Sequence, residues 1–249
     1  MKYSLKNKLK SGKIVIGGFI NFYAPDVVEM MGINGCDYCV LDNEHGCVSP
    51  NELVHMVRAA DSVGMSTIVR VDYDDSSIQK ALDMGAEGVQ VPKVNTKEDA
   101  VLAVKRAKYP PEGDRGVGFS SRSARLSGLK KNEYLQYAND NVLVVVQIET
   151  PEAIANIDEI LSVSGVDVAF LGKMDLSSAI GRPGETNSPI MNSLTDQFFA
   201  ATKRHGRIAG HIYDGSDLSV LLEKNALYQS LPFMLPGNLR ELIQAKNSY

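Results

Sequence analysis

VLVVVQIETPEAIANIDEILSVSGVDVAFLGKMDLSSAIG, residues 142–181, carries the alternation that decides the fold. A β-branched apolar run at 142–149 is followed by a helical pattern at 151–161 and a glycine, Gly165. A second apolar run follows at 166–172. Nearly continuous runs of this kind suit strands covered on both faces, as in parallel sheets. Working outward, similar runs fall at 14–20, 37–42, 66–71, 87–92, 207–213 and 226–235. Helical patterns lie between them at 24–31, 50–63, 76–84, 96–105, 188–205, 216–224 and 235–245. Ser49 is a plausible N-cap, Pro25 a first-turn proline, and Gly64, Gly85, Gly165 and Gly206 stand where helices should stop. Eight strands each followed by a helix predict an α/β fold, a (β/α)8 TIM barrel with a parallel eight-stranded sheet, as one domain over 1–249. A doubly wound open sheet is the alternative. The one long irregular stretch, 109–131, holds Pro110, Pro111 and four glycines and is expected to form a loop on the active face.

Composition narrows the function. The chain has 249 residues, 44% apolar and 22% charged, which excludes a disordered polymer. A net charge of −4 gives no reason to expect nucleic acid or an anionic membrane as partner. No apolar run approaches the ~18 residues of a membrane helix. The basic N-terminus, MKYSLKNKLKSGK, precedes only seven apolar residues and reads as a short amphipathic helix. The cytoplasm is therefore the expected location. Cys36 and Cys39 form a C-x-x-C, but on a strand positions three apart face opposite sides, so buried packing is expected. With Cys47 the count is three, which argues against a disulfide scaffold.

In a barrel of this kind catalytic groups sit at the C-terminal ends of strands. Asp42, Glu44 and His45 end the second run, and Arg70 the third. Gln147 and Glu149 end the fifth, while Gly172, Lys173 and Asp175 follow the sixth. His211 and Tyr213 end the seventh. Several of these polar groups interrupt buried runs, where a lone charge costs several kcal/mol unless it is paired. Glu149 and Asp175 on adjacent strands suit Mg²⁺ or Mn²⁺ retaining waters; helix capping is the plainer alternative. An Asp42–His45 pair would hold the imidazole in one tautomer. Arg70 would clamp a carboxylate or stabilise an oxyanion, or else form a structural ion pair. Arg115, Arg122 and Arg125 in the long loop are candidates for an acidic substrate. Lys173 opens a further route, a Schiff base, although nearby carboxylates would keep it protonated.

The segments LDNEHG (41–46), VRV (69–71), LDMGAEGVQVPKV (82–94), AKYPPEGDRGVG (107–118), VQIET (146–150) and GVDVAFLGKMDLSSAIG (165–181) together resemble a known family. It is that of the metal-dependent, class II pyruvate aldolases: the HpcH/HpaI aldolase/citrate lyase family, of the 4-hydroxy-2-oxoheptanedioate and 2-dehydro-3-deoxyglucarate aldolase type. The resemblance covers most of 5–212. It implies a (β/α)8 barrel that forms a homo-oligomer, often a hexamer, with the last helix, about 235–247, packed on a neighbouring subunit. It places Mg²⁺ or Mn²⁺, with Co²⁺ as a further option, on Glu149 and Asp175, with Glu44 acting through water. His45 supported by Asp42 would do acid–base chemistry, and Asp83 of an adjacent subunit would extend that network. Arg70 would hold the keto oxygen as it becomes an enolate. Gln147, Gly172, Lys173, Met174, Asp175, Ile212, Arg122 and Arg125 would contact substrate. The partners implied are a 2-oxo acid and an aldehyde.

Three features depart from the family pattern. Lys173-Met174 replaces the usual proline step between Gly172 and Asp175, and points to a more acidic donor such as oxaloacetate. Asp72 stands where a proline is common. LPFMLPGNLREL (231–242) replaces the glycine–aspartate signature after the last strand. The leading expectation is an aldolase acting on 4-hydroxy-2-oxo acids. The alternative is a Claisen-type enzyme joining acetyl-CoA to oxaloacetate in a citrate-synthase-like reaction. A silent barrel that binds a 2-oxo acid is a third reading.

Overall fold

The computed structural model describes residues 5–46, 48–231, 243, 244 and 246. Eight strands close into one parallel barrel in chain order, β1-β2-β3-β4-β5-β6-β7-β8. They are β1 Val15–Ile20, β2 Tyr38–Asp42, β3 Ser66–Arg70, β4 Gly88–Val91, β5 Leu143–Ile148, β6 Val168–Leu171, β7 Ile208–Ile212 and β8 Tyr228–Leu231. Closure runs through β1 and β8, with Val15 opposite Tyr228 and Gly18 opposite Leu231. The helices before β5 are α1 Leu5–Lys10, α2 Pro25–Ile33, α3 Pro50–Ser62, α4 Ser77–Met84, α5 Lys97–Ala107, α6 Arg122–Leu126 and α7 Lys131–Asn141. After it come α8 Pro151–Ala155, α9 Ile157–Ser162, α10 Lys173–Ala179, α11 Pro189–Arg204 and α12 Leu218–Glu223. The barrel expected from the run count is borne out. The fifth helical pattern is broken in two at Asn156, the C-cap of α8.

Local chemistry sets the boundaries. Ser49 accepts from the Glu52 N–H, and Glu52 in turn accepts from the Ser49 N–H, a reciprocal cap at the start of α3. Thr96 and Asp99 do the same for α5. Gly85 ends α4 at φ 105°, a left-handed conformation that a Cβ would oppose. The strands divide their side chains by parity. On β5, Leu143 and Val145 pack inside the barrel, while Val144, Val146 and Ile148 pack outward against helices. Each such fully buried aliphatic side chain contributes roughly 1.5–3 kcal/mol. Tyr38 and Tyr228 stack across the interior, ring centroids 4.4 Å apart. Gly17 is required there, because a Cβ would meet the Tyr38 carbonyl oxygen at 2.4 Å. Below them α1 closes the N-terminal end, with Leu5 and Leu9 in the interior cluster and Lys6 Nζ donating to the Val142 carbonyl at 2.8 Å. The upper end of the barrel is left to polar groups.

The loop expectation is corrected. Residues 109–131 follow a helix, α5, and therefore start at the end of the barrel opposite to the strand C-termini. Arg122 in α6 confirms the placement, pairing with Asp61 of α3's last turn at 2.6 Å and donating to the Met84 carbonyl at 3.3 Å. The segment also holds that helix, so it is not wholly irregular. Cys36 and Cys39 are buried free thiols, both pushed up to about 12 by burial, which fits packing and not redox chemistry. Cys47, the segment 232–242 and most of the expected last helix lie outside the described residues. Among the described residues no helix is long and apolar enough to cross a membrane.

Candidate active site

The inward rows of the strands continue upward into one cavity of about 420 Å³ at the C-terminal end of the barrel. Tyr38 and Val40 are followed on the same face by Asp42, Ile68 by Arg70, and Val145 by Gln147 and Glu149. Val168 and Phe170 lead to Gly172, and Val15 to Phe19 and Asn21. His45, Lys173, Met174, Asp175 and Ile212 complete the wall. Parity explains why residues scattered over six strands and the loops after them converge.

Arg70 is the cationic centre. Its Nε donates to Asp42 Oδ1 at 2.8 Å and its Nη2 to Oδ2 at 2.6 Å, a two-pronged pair. Asp42 is 3% exposed. Burial opposes its ionisation, but the Arg70 hydrogen bonds and charge win and hold the carboxyl below its usual range. The third nitrogen, Nη1, stands 3.3 Å from Glu44 Oε2. Phe19 supports the guanidinium from one face, 4.9 Å from ring centroid to Cζ.

This arrangement corrects the Asp42–His45 pair. Asp42 Oδ1 accepts the backbone N–H of His45 at 3.2 Å and of Glu44 at 3.1 Å, while both carboxylate oxygens serve Arg70. Asp42 therefore shapes the turn and orients Arg70. The imidazole projects to the cavity rim, its Nε2 3.9 Å from Glu44 Oε2.

Glu149 is 2% exposed. Its Oε1 accepts the Lys93 N–H at 2.7 Å, and its Oε2 accepts from Gln147 Nε2 at 2.5 Å. Gln147 is itself set by Gln90, whose Nε2 donates to Gln147 Oε1 at 2.7 Å. Lys93 delivers its N–H from φ 49°, a left-handed conformation costing a non-glycine residue about 1–2 kcal/mol. Burial pushes the Glu149 carboxyl up, and the charges of Asp175 and Glu44 add to the shift, against the hydrogen bonds from Lys93 and Gln147. Glu44 Oε2 is buried and has no hydrogen-bond partner, since its approach to Arg70 is poorly aligned. A Cβ on Gly172 would lie 2.7 Å from Glu149 Cβ and 2.8 Å from Oε2.

These residues fit a divalent cation. Glu149 accepts from two neutral donors and Glu44 Oε1 from a third, the charges of Asp175 and Glu44 bear on Glu149, and the buried Glu44 Oε2 lacks a hydrogen-bond partner. Among the described residues no group of three or more His, Cys, Asp and Glu is placed to hold a metal ion. Two carboxylates with open positions suit a hard ion that keeps waters. Gly172→Ala should displace Glu149 and lower kcat/KM about 100-fold with the barrel still folded, as a misplaced active-site group does. Steady-state assay beside thermal melting checks this.

Lys173 Nζ lies 3.9 Å from Asp214 Oδ2. His211 is buried, its Nδ1 2.7 Å from the Ile212 carbonyl oxygen, and burial pushes its pKa down. Arg122 and Arg125 stand away from the cavity, and so does Asp83, whose expected role was toward an adjacent subunit. Arg122 holds α6 to α3, as described; Arg125 is exposed on α6; Asp83 pairs with Arg115 at 2.6 Å near the end of α4. All belong to the opposite end of the barrel, Asp83 in the last turn of α4 and the two arginines on α6, which comes after α5 has carried the chain to that end. Phe19, Asn21 and Phe170 were missed by the reading of strand ends; their parity with Val15 and Val168 was the available signal. Gln90 shares the inward face of β4 but announces itself only through Gln147.

A barrel whose mouth gathers carboxylates beside a buried arginine has the character of an enzyme active site. The model of the HpcH/HpaI aldolase/citrate lyase family matches residues 16–232, and the chain belongs to this family. It is 36% identical to the hydroxypyruvate/pyruvate aldolase of Sagittula stellata, over 87% of this chain and 85% of that one. It is 31% identical to the 2-keto-3-deoxy-L-rhamnonate aldolase of Escherichia coli K12, over 86% and 80%. Among solved structures, an HpcH/HpaI aldolase from Desulfitobacterium hafniense superposes with a TM-score of 0.87 at 33% identity, covering 98% of this chain and 95% of that one. The citrate synthase SbnG superposes at 0.83 and 29%, covering 99% and 96%. The family expectation is borne out, and with it the reading of the chain as a carbon–carbon lyase of the pyruvate-aldolase kind.

Proposed function

We propose that this chain is a divalent-metal-dependent aldolase that reversibly cleaves 4-hydroxy-2-oxo acids to pyruvate, or a related 2-oxo acid, and an aldehyde. The observation carrying the proposal is the joint placement of Glu149, Asp175, Arg70, Gln147 and His45 around one cavity. A cation held by Glu149 and Asp175, with Glu44 reaching it through water, would supply Lewis acidity toward the carboxylate and keto oxygens of the 2-oxo acid. Arg70 Nη1, left free of Asp42 and 3.3 Å from Glu44 Oε2, would stabilise the charge developing on the keto oxygen. Gln147 fixes Glu149 and offers its amide to the bound acid. The N–H groups of Met174 and Asp175, in the first turn of α10, receive the substrate carboxylate. His45 takes the proton from the C4 hydroxyl. The electrons of the C3–C4 bond then pass to the enolate, the aldehyde leaves, and protonation of C3 gives the methyl group of pyruvate. Phe19, Phe170 and Ile212 form the apolar wall beside the reacting carbons. The same reading takes Mg²⁺ or Mn²⁺ as the ion, a homo-oligomer as the working form and the cytoplasm as the compartment; these rest on the family resemblance.

A second reading is favoured by Lys173 in the cavity wall and by the likeness to a citrate synthase. It is the condensation of acetyl-CoA with oxaloacetate on the same groups. Incubation with Mn²⁺ separates the two. Pyruvate exchange or condensation with an aldehyde supports the aldolase, and release of CoA thiol from acetyl-CoA and oxaloacetate supports the condensing enzyme. Inactivation by borohydride in the presence of substrate, with activity insensitive to EDTA, would overturn both in favour of a Lys173 imine.

A further inference from the structure

We infer that Tyr73 and Lys93 are positioning residues for Glu44, holding its carboxylate so that Oε2 remains a free acceptor beside the cavity. The inference rests on the metal-dependent reading above, in which Glu44 meets the cation through water. Neither side chain lines the cavity, so neither is read as touching substrate.

The loop between β3 and α4 is fastened onto the loop that carries Glu44. Asp72 accepts from Asn43 Nδ2 at 3.1 Å and from the Asp74 N–H at 3.0 Å, and the Ser77 hydroxyl donates to it as well. A proline at position 72 would supply none of these acceptors. The clamp brings the Tyr73 hydroxyl to Glu44 Oε1, to which it donates at 2.7 Å. The Tyr73 side chain is nevertheless largely exposed. An exposed ring whose hydroxyl is tied to a mostly buried carboxylate is not explained by core packing.

Lys93 backs the ring. Its Nζ lies over the Tyr73 ring, 5.3 Å from the centroid. The main chain of the same residue donates to Glu149 Oε1 at 2.7 Å. One residue thus touches Glu149 through its backbone and Glu44 through Tyr73. With Oε1 occupied, Glu44 Oε2 stays 3.3 Å from Arg70 Nη1 without hydrogen-bond alignment. Removing the tyrosine hydroxyl frees the carboxylate to rotate onto Arg70. That rotation would use up the acceptor meant for water on the cation, and the Arg70 nitrogen meant for the keto oxygen.

The test uses the full chain and Mn²⁺ alone as probe, with free Mn²⁺ followed by electron paramagnetic resonance. Tyr73→Phe keeps the ring and removes one oxygen. It should weaken Mn²⁺ binding about tenfold, as loss of an outer partner of a metal site does, with the melting temperature of the metal-free protein unchanged. Lys93→Met should weaken it in the same direction by a smaller factor. Glu149→Gln is the control. If Glu149→Gln loses Mn²⁺ while Tyr73→Phe and Lys93→Met bind it as the wild type does, the positioning role is overturned and the metal reading stands. If Glu149→Gln also binds Mn²⁺ normally, the metal reading falls first. A Tyr73→Phe protein that loses melting temperature and Mn²⁺ affinity together marks a merely structural contact and also overturns the inference.

Discussion

Glu149→Gln is expected to abolish Mn²⁺ binding at micromolar metal and to lower kcat/KM by at least about 100-fold, or ~2.7 kcal/mol. The substitution does more than remove a charge. Both Glu149 oxygens accept hydrogen bonds, from the Lys93 N–H and from Gln147 Nε2. A glutamine must present its NH2 to one of those donors. The carboxamide of Gln147 would then have to turn, which in turn faces its own NH2 toward Gln90 Nε2. The pH dependence follows from the raised Glu149 carboxyl. A carboxyl raised on folding favours the protonated native state. Its stabilising contribution is complete below the ordinary glutamate value near pH 4.5 and is lost as pH rises through the folded value. Mn²⁺ competes with that proton, so the rise in melting temperature on adding Mn²⁺ should grow with pH across this window and be flat in Glu149→Gln. Isothermal titration showing wild-type Mn²⁺ affinity in the variant would contradict the assignment.

Arg70→Met should cost about 3–5 kcal/mol of stability at pH 7, because it strands a buried carboxylate. Asp42 loses two charge-assisted hydrogen bonds and remains 3% exposed. The pH profile should change sign. In the wild type the Asp42 carboxyl lies below its usual range, so its contribution is present above the ordinary value near pH 4 and is lost as pH falls through the folded value. In the variant burial is unopposed by Arg70, and stability should instead rise as pH falls from 7 toward 5. The double variant Arg70→Met/Asp42→Asn separates the two roles. It should recover much of the lost stability, while kcat stays about 100- to 1,000-fold down, since the proposed oxyanion partner is still missing. Recovery of kcat in the double variant would show that Arg70 serves the fold alone.

Most of the architecture and part of the site could be read along the chain. The eight apolar runs announced the barrel because every strand is covered on both faces, so apolar character barely alternates. Polar residues that interrupted those runs, Asp42, Arg70, Gln147 and Glu149, were conspicuous because a buried charge needs a partner. All of them meet at one cavity. The long loop was misplaced because proline and glycine content marks a loop and says nothing of which end of a barrel it occupies. That is decided by the element before it, and α5 delivers the chain to the far end. Arg122 and Arg125 went with it.

Short-range spacing also misjudged Asp42 and His45. Three residues apart, they suggested a side-chain pair, yet Asp42 faces inward to Arg70 on the neighbouring strand and meets His45 only at its backbone. Tyr73 left no mark in the sequence, and Lys93, placed after the fourth strand as a weak imine candidate, carried no sign of its link to Glu44. What the chain specifies locally is periodicity and capping, energies spent between neighbours a few residues apart, and these were enough for strands, helices and barrel. Which donor meets which carboxylate depends on contacts 28 positions apart for the Arg70 guanidinium and Asp42, or 56 for the Lys93 backbone N–H and Glu149, and these exist only once the sheet has closed.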